Sequence, residues 1–278
     1  MKKYLAILGI LFTVSARAEC VGTPGAPVRS VYIVPQLATS QLYSNWMPIL
    51  DRVGRDTNQC FELHVPPTIP EFEKFVLSGE ADYVYMNPYH AVMAYKRQKY
   101  APLVADGKEK LDGIIVVRKD SKIKSIEELD GNRMAFPAPN AFAASLLIRS
   151  TLDRKGIKIQ PKYVKTHSNV YHSVILGDFV AGGGINHTFE REPKAVRERL
   201  RILYTTPEYT PHPFAANPRI AKATRDAVAD SFVALGNTDT GRVMLDRVQM
   251  PKPMKVTYEN NYAVLDTLGI ERFVDVSQ

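Results

Sequence analysis

Beyond Cys20 the chain has no apolar run approaching about 18 residues, so no later segment offers a membrane-crossing helix. Only two cysteines occur, Cys20 and Cys60, too few for a fold held mainly by disulfides. No dense block of Lys or Arg is present, and the formal net charge of +7 is spread along the chain. A nucleic-acid partner is therefore not expected. Catalytic patterns are also missing. The sequence has no Gly-x-Ser-x-Gly, no His-Glu-x-x-His, no phosphate loop and no Cys–His pair with a credible nucleophile. The run Gly182-Gly183-Gly184 does not open a helix as a dinucleotide turn must. Asp and Glu are nearly absent past the predicted strands, so no carboxylate pair stands ready for acid–base work. These absences predict a protein that is not an enzyme and carries no cofactor and no resident metal.

What is present begins with an export signal. Lys2 and Lys3 precede the apolar stretch Tyr4 to Val14, and Ala16-Arg17-Ala18 follows. That charged, apolar, small-x-small order predicts a cleavable signal over 1–18 and a periplasmic, water-soluble product. Glu19 stands where a lipid-attachment site would want a small residue before Cys20. Removing Lys2, Lys3 and Arg17 from 36 basic residues, against 29 acidic ones, brings the net charge to about +4. Both cysteines survive cleavage. In an oxidising compartment Cys20 and Cys60 are expected to form a disulfide, two free buried thiols being the alternative.

The pattern then alternates. "VRSVYIVP" (28–35), "FELHVPP" (61–67) and "ADYVYMNP" (81–88) read as strands. Helices are expected over 44–57, 69–80 and 89–99. Such alternation implies βαβ units on a parallel sheet. Residues 101–121 read as a hairpin or a crossing between lobes. Ser125 and Glu128 form a capping-box pattern on a short helix. Strands are expected at 132–139, 161–167 and 179–190, and helices at 140–157, 168–178 and 192–200. Thr39 and Ser168 are expected as helix caps. Residues 201–218 read as extended, and 219–278 as mostly helical. Two blocks and a Pro-rich return describe an α/β protein of two lobes: 19–110 plus 215–278, and 111–214. The two connections would form a hinge, with ligand between the lobes at the strand ends.

Polar residues gather past the predicted strands. Gln36 follows the first strand, Met86-Asn87-Pro88-Tyr89-His90 the third, and Asn140 the fourth. Further on come His167 and Asn169, then Asn186, His187 and Thr188, and finally Tyr209, Thr210 and His212. "MAFPAPNAFAAS" (134–145) is a strand feeding a helix, whose first-turn N–H groups make an anion site. Ala141, Phe142 and Ala143 stand where hydroxyl residues would be usual.

The blocks "ADYVYMNPYHAV", "MAFPAPNAFAASLLIRSTLDRKGI", "THSNVYHSVILGDFVAGGGINHTFE" and "LYTTPEYTPHPFAANP" resemble the phosphate/phosphite/phosphonate-type substrate-binding proteins of ABC transporters. The resemblance runs over roughly 28–240 and rests on the order of the blocks. It implies a type II periplasmic binding fold, an interlobe cleft with a two-segment hinge, and an inner-membrane ABC permease as partner. It further implies a monomer with a small-molecule ligand. The family's hydroxyl-bearing loop falls at Asn140-Ala141-Phe142-Ala143, its His at His167, its Asp near Asn186, and its first-lobe aromatic at Tyr85 or Tyr89. The expected ligand set is Gln36, Tyr85, Asn87, Tyr89, Asn140, Ala141, Phe142, Ala143, His167, Asn169, Asn186, Thr188 and His212. Losing the hydroxyls disfavours a bare tetrahedral oxyanion. Losing the carboxylate disfavours a cationic group on the ligand, and Phe142 adds an apolar wall. The expected cargo is thus a small anion, either phosphonate-like or organic. Two other readings use the same residues. One is a sensing module for a membrane histidine kinase. The other is metal capture by His90, His167, His187 and His212 with nearby tyrosines.

Overall fold

The structure is a computed structural model and describes residues 20–274. The expected export signal lies outside the described residues. Twelve strands form two sheets. β1 (Val21–Gly22), β2 (Val28–Ile33), β3 (Cys60–His64), β4 (Tyr83–Tyr85) and β5 (Ala101–Asp106) belong to the first sheet. β6 (Gly113–Arg118), β7 (Arg133–Phe136), β8 (Gln160–Tyr163), β9 (Ala181–Ile185) and β10 (Leu200–Thr205) form the second. The chain then returns to the first sheet with β11 (Phe214–Ala216) and β12 (Pro253–Lys255). The seven-stranded order is β1-β3-β2-β4-β11-β5-β12, and the five-stranded order is β10-β6-β9-β7-β8. The chain is thus a mixed α/β protein that leaves one sheet, builds a second and returns, as the expected type II periplasmic binding fold requires.

The helices follow the apolar spacing. α1 (Thr39–Thr57) buries Leu42, Trp46, Ile49, Leu50 and Val53, a single stripe at helical spacing. α2 (Ile69–Ser78) has Pro70 in its first turn and ends at Gly79 in the left-handed region. In α3 (Pro88–Gln98) the Asn87 side chain accepts the His90 N–H at 2.8 Å and caps the helix. Burial alternates on the second sheet. Ile114, Val116 and Ala135 face one core, while Ile115, Val117, Met134 and Phe136 face the other.

Several expectations are corrected. The sheets are mixed: β2 runs parallel to β3 and β4, but β11 is antiparallel to β4 and β5. Residues 101–121 form a crossing, because β5 lies in one sheet and β6 in the other. Thr39 is the first residue of α1 rather than a cap, since Ala38 precedes the helix without a side-chain bond. α5 (His167–Leu176) is capped by Thr166, which accepts from Asn169 N at 3.1 Å. Ser168 instead donates to Glu192 at 2.5 Å. The strand expected over 179–190 stops at Ile185, and α6 (Asn186–Glu190) begins at once. β12 interrupts the expected helical tail.

The disulfide is present between Cys20 and Cys60, where β1 meets β3. With 40 residues between them, the link stabilises by about 4 kcal/mol on the chain-entropy estimate.

The triple glycine has a packing reason. A Cβ at Gly182 or Gly184 would strike Val170 or Tyr171 of α5, and one at Gly183 would strike the Ala144 carbonyl and Phe136. Glycine lets helices approach β9 closely on both faces of the sheet.

Candidate functional site

The strand directions bring one edge of each sheet together. β7, β8 and β9 are mutually parallel, so Asn140, His167 and Asn186 follow their carboxyl ends on one edge. β6 is antiparallel to β9, which places its first residues on that edge too. In the other sheet, Gln36 and Asn87 follow β2 and β4, and His212 precedes the antiparallel β11 at the same edge. The crossovers 107–112 and 206–213 leave one edge and enter the other, and Leu111 and Tyr209 bridge to each other between them. The two edges therefore face one another across a pair of crossovers.

On the second edge the chain after β7 enters a widened turn. Residues Phe142–Leu147 form a π-helical segment that continues into α4 (Ile148–Arg154). Ser145 and Leu146 both donate to the Ala141 carbonyl, at 2.9 and 3.0 Å. A wide turn of this kind is uncommon and concentrates at functional sites. The first-turn N–H groups of Phe142, Ala143 and Ala144 have no intrahelical acceptor, and the helix dipole adds positive potential there. Asn140 is buried, and Phe142 is 4 % exposed. Phe142, Ala143, Leu146 and Leu147 join the core of the seven-stranded unit, so this turn is where the two units pack together.

Two histidines stand at these edges, one on each sheet. His167 is partly exposed, yet its Nδ1 is buried with no protein partner. Burial holds its pKa below the ordinary value, with the Glu192 charge opposing. His212 accepts a hydrogen bond from the Gln36 amide at 2.5 Å and stacks on Tyr85. Burial, reinforced by the nearby His90, lowers its pKa to about 3. A neutral ring fits this contact, because the protonated nitrogen could not accept from Gln36.

Other expected residues are spent within their own unit. The Tyr85 hydroxyl donates to Val248 O at 3.0 Å. Asn87 caps α3. Tyr89 is 5 % exposed and lines two small cavities beside α3. The Asn169 side chain donates to Val164 O, and Thr188 joins the Tyr171 hydroxyl and Ile185 O. The histidines do not form one cluster. His90 pairs with Glu73 at 2.9 Å between α3 and α2, and His187 lies 3.5 Å from Glu109. Among the described residues no group of three or more His, Cys, Asp or Glu side chains is placed to hold a metal. The metal-capture reading thus loses its constellation.

Sequence reasoning missed Asp112, Ser145 and Thr206. Asp112 is 8 % exposed, and burial pushes its carboxyl up, with Glu208 and Glu190 adding to that and backbone N–H groups, Asn186's among them, opposing it. It precedes a strand. An antiparallel β6 puts its beginning at the edge that carries Asn140, His167 and Asn186, and no local pattern signals that strand direction. Thr206 accepts the Gly113 N–H at 2.8 Å from the second crossover. Ser145 is fully buried with no partner for its hydroxyl. It lies one turn inside the helix, among Ala143, Ala144, Leu146 and Leu147.

A sequence profile described as the phosphonate-type periplasmic substrate-binding protein of ABC transporters matches residues 31–278. The chain belongs to this family. It is the substrate-binding component of an ABC importer, a class that carries cargo to a transporter. Solved structures agree on the fold. A Xanthomonas citri protein solved with ATP superposes with a TM-score of 0.79 at 17% identity, covering 90% of this chain and 100% of that one. A Prochlorococcus marinus phosphonate-binding protein solved with methylphosphonate gives 0.72 at 15%, covering 88% and 98%. The binding component of a Pseudomonas aeruginosa ABC phosphonate transporter gives 0.69 at 15%, covering 89% and 88%. The family is periplasmic, and the disulfide fits an oxidising compartment. No helix among the described residues is long and apolar enough to cross a membrane.

Proposed function

We propose that this protein captures one small anion between its two units and delivers it to an inner-membrane ABC permease. The moving bodies are 19–110 with 215–278, and 111–214. The chain is exported as a monomer after cleavage following Ala18. The ligand is phosphonate-like or an organic anion, with an apolar or flat part against Phe142. The observation that carries this reading is the widened helix start at Phe142–Leu147. Its first-turn N–H groups offer anion donors without hydroxyl help. Asn140, His167 and Asn186 stand on the same edge, and Gln36 and His212 on the facing one. Tyr85, Asn87, Tyr89, Asn169 and Thr188 give the site its shape through the contacts described. The Xanthomonas and Prochlorococcus proteins were solved with ATP, chloride and methylphosphonate, all anions, which accords with this class.

A thermal-shift screen of the mature protein tests it, with phosphate, phosphite, methylphosphonate, alkylsulfonates, carboxylates and ATP. A ligand at a hundredfold excess over its Kd stabilises by about 2.7 kcal/mol, so one class of anion is expected to raise Tm clearly. His167→Ala should abolish that shift. A flat response to every anion would sink the ligand class. A strong response that survives His167→Ala would remove His167 from the site.

A further inference from the structure

The chain after the last strand does not stay with one unit. Asn261 and Tyr262 reach the second crossover, where the Tyr262 hydroxyl donates to Pro211 O at 2.9 Å and the Asn261 amide to Thr210 at 3.3 Å. Tyr258 stacks on Tyr95 of α3 with ring centroids 3.6 Å apart, and Lys96 of α3 pairs with Asp266 at 2.5 Å. These contacts hold the segment to the seven-stranded unit. Residues Ala263–Leu268 lie against α3, and Ile270–Phe273 then run against the Phe142–Leu147 turn and α4 of the five-stranded unit. The Ser150 hydroxyl donates to the Leu268 carbonyl, and Arg272 pairs with Asp153 at 3.1 Å.

One side chain gathers these contacts. Arg149 is 8 % exposed. Its Nη2 donates to Pro139 O at 2.6 Å and to Phe273 O at 2.8 Å. Its guanidinium also lies over the Phe273 and Tyr163 rings, at 5.5 and 5.8 Å. Pro139 immediately precedes Asn140 and the widened turn. A charged donor shared between two carbonyls fixes their separation, and a planar guanidinium does so with a set geometry. On the other side, a cavity of about 20 Å³ lies between α3 and the tail, lined by Tyr89, Met93, Leu265 and Ile270, and one of about 60 Å³ lies mostly between α2 and α3, where Val274 reaches it. The tail is thus bonded to the Asn140 loop through Arg149 and seated on the seven-stranded unit through Leu265, Leu268 and Ile270, which are buried in its core.

We infer that Arg149 is a positioning residue for the ligand loop, and that through it the C-terminal segment Ala263–Val274 acts as a strap between the units. The strap is seated on the seven-stranded unit at one side and bonded to Arg149 at the other, so the Asn140 loop is tied to both units. Loop geometry, and hence anion affinity, then depends on a tail that touches no ligand. The inference rests on the proposed place of the ligand at Asn140–Ala144.

Hydrogen exchange on the ligand-free mature protein tests it. Arg149→Ala should speed exchange of the amides of 140–146 by about tenfold or more, as expected for losing bonds to a charged donor. Arg149→Lys, which can serve one carbonyl but not both, should give a smaller increase and guards against loss of fold. Ser150→Ala should speed exchange in 263–274 and leave 140–146 unchanged. Wild-type exchange at 140–146 in both Arg149 variants would overturn the inference. In a second arm, methylphosphonate is titrated by calorimetry. Arg149→Lys should weaken Kd about tenfold while Tm moves little, a split that a purely structural role would not produce. If Kd is unchanged, the strap does not act on the site. If the wild-type protein binds no methylphosphonate, the ligand reading is what fails, and the exchange comparison still decides the role of Arg149.

Discussion

The two facing strand edges carry similar residue types and use them differently. At the seven-stranded edge, Tyr85 bonds Val248, Asn87 caps α3, and His90 is tied to Glu73. Those groups hold their own unit in shape, and Gln36 with His212 are what remain at the surface. At the five-stranded edge Asn140, His167 and Asn186 stand beside the apolar stretch Ala141–Ala143. There the shape comes from helices seated on a glycine strand, and the offered donors are backbone N–H groups. One unit is organised by polar side chains locked inward, the other by close packing around its backbone. A backbone donor keeps its place only if its turn cannot shift, and Gly183, set against the Ala144 carbonyl, is the β9 glycine that seats the turn, so on the proposed ligand placement it serves binding geometry as well as packing.

That contrast can be broken in three places. The largest effect is expected at the disulfide, which belongs to the seven-stranded unit alone. Cys20→Ser with Cys60→Ser should lower stability by about 4 kcal/mol in calorimetric unfolding. Hydrogen exchange in β7–β9 should stay near wild type. Equal loss of protection in both units would mean that they do not differ in how they are held. Next comes Gly183→Ala, whose methyl would collide with the Ala144 carbonyl and Phe136. Overpacking of this kind costs about 1–3 kcal/mol. Because the strike falls on the ligand turn, anion response should fall by more than stability does. A variant with wild-type Tm and wild-type response would show that the turn does not lean on β9.

The smallest effect concerns pH. The His212 pKa lies near 3 in the folded protein and at the ordinary 6.5 when unfolded, so the unfolded chain binds the proton more readily. Stability is then untouched above pH 6.5 and declines as pH falls toward 3. The bound on that slope is about 1.4 kcal/mol per pH unit, reduced by the partial exposure of the ring. His212→Gln should flatten the fall of Tm between pH 6 and 4 and leave Tm at pH 8 unchanged, within a few degrees. An identical pH profile would remove His212 as a buried neutral ring.

Much of the architecture was legible before any coordinates. The alternation through residue 99 and the Pro and Gly at the ends of α2 follow from local patterns whose physics is short-range, while the pairing of Cys20 with Cys60 follows from there being only two cysteines. The readings left open and those corrected share a cause. Residues 101–121 could close as a hairpin or cross between sheets, and "GGGINHT" could extend or bend into a helix, since neither choice is settled within a dozen residues. β1 and β12 are two and three residues long and exist only because neighbouring strands receive them. Asp112 was invisible for a related reason, as no local signal says that the start of β6 lies beside the end of β9.

The sequence by itself determined the class of the chain, because helix and strand periodicity, turn residues and the order of blocks are written residue by residue. It also determined that no hydroxyl set stands at Ala141–Ala143. Tertiary structure alone decided which candidate side chains are free to meet a ligand. Tyr85 and Gln36 are both polar, one ending β4 and the other lying just past β2. Only the distant partners Val248 and His212 turn one inward and hold the other at the edge. A hydrogen bond between residues far apart in the chain leaves no trace in either one's neighbours, so its consequences wait for the fold.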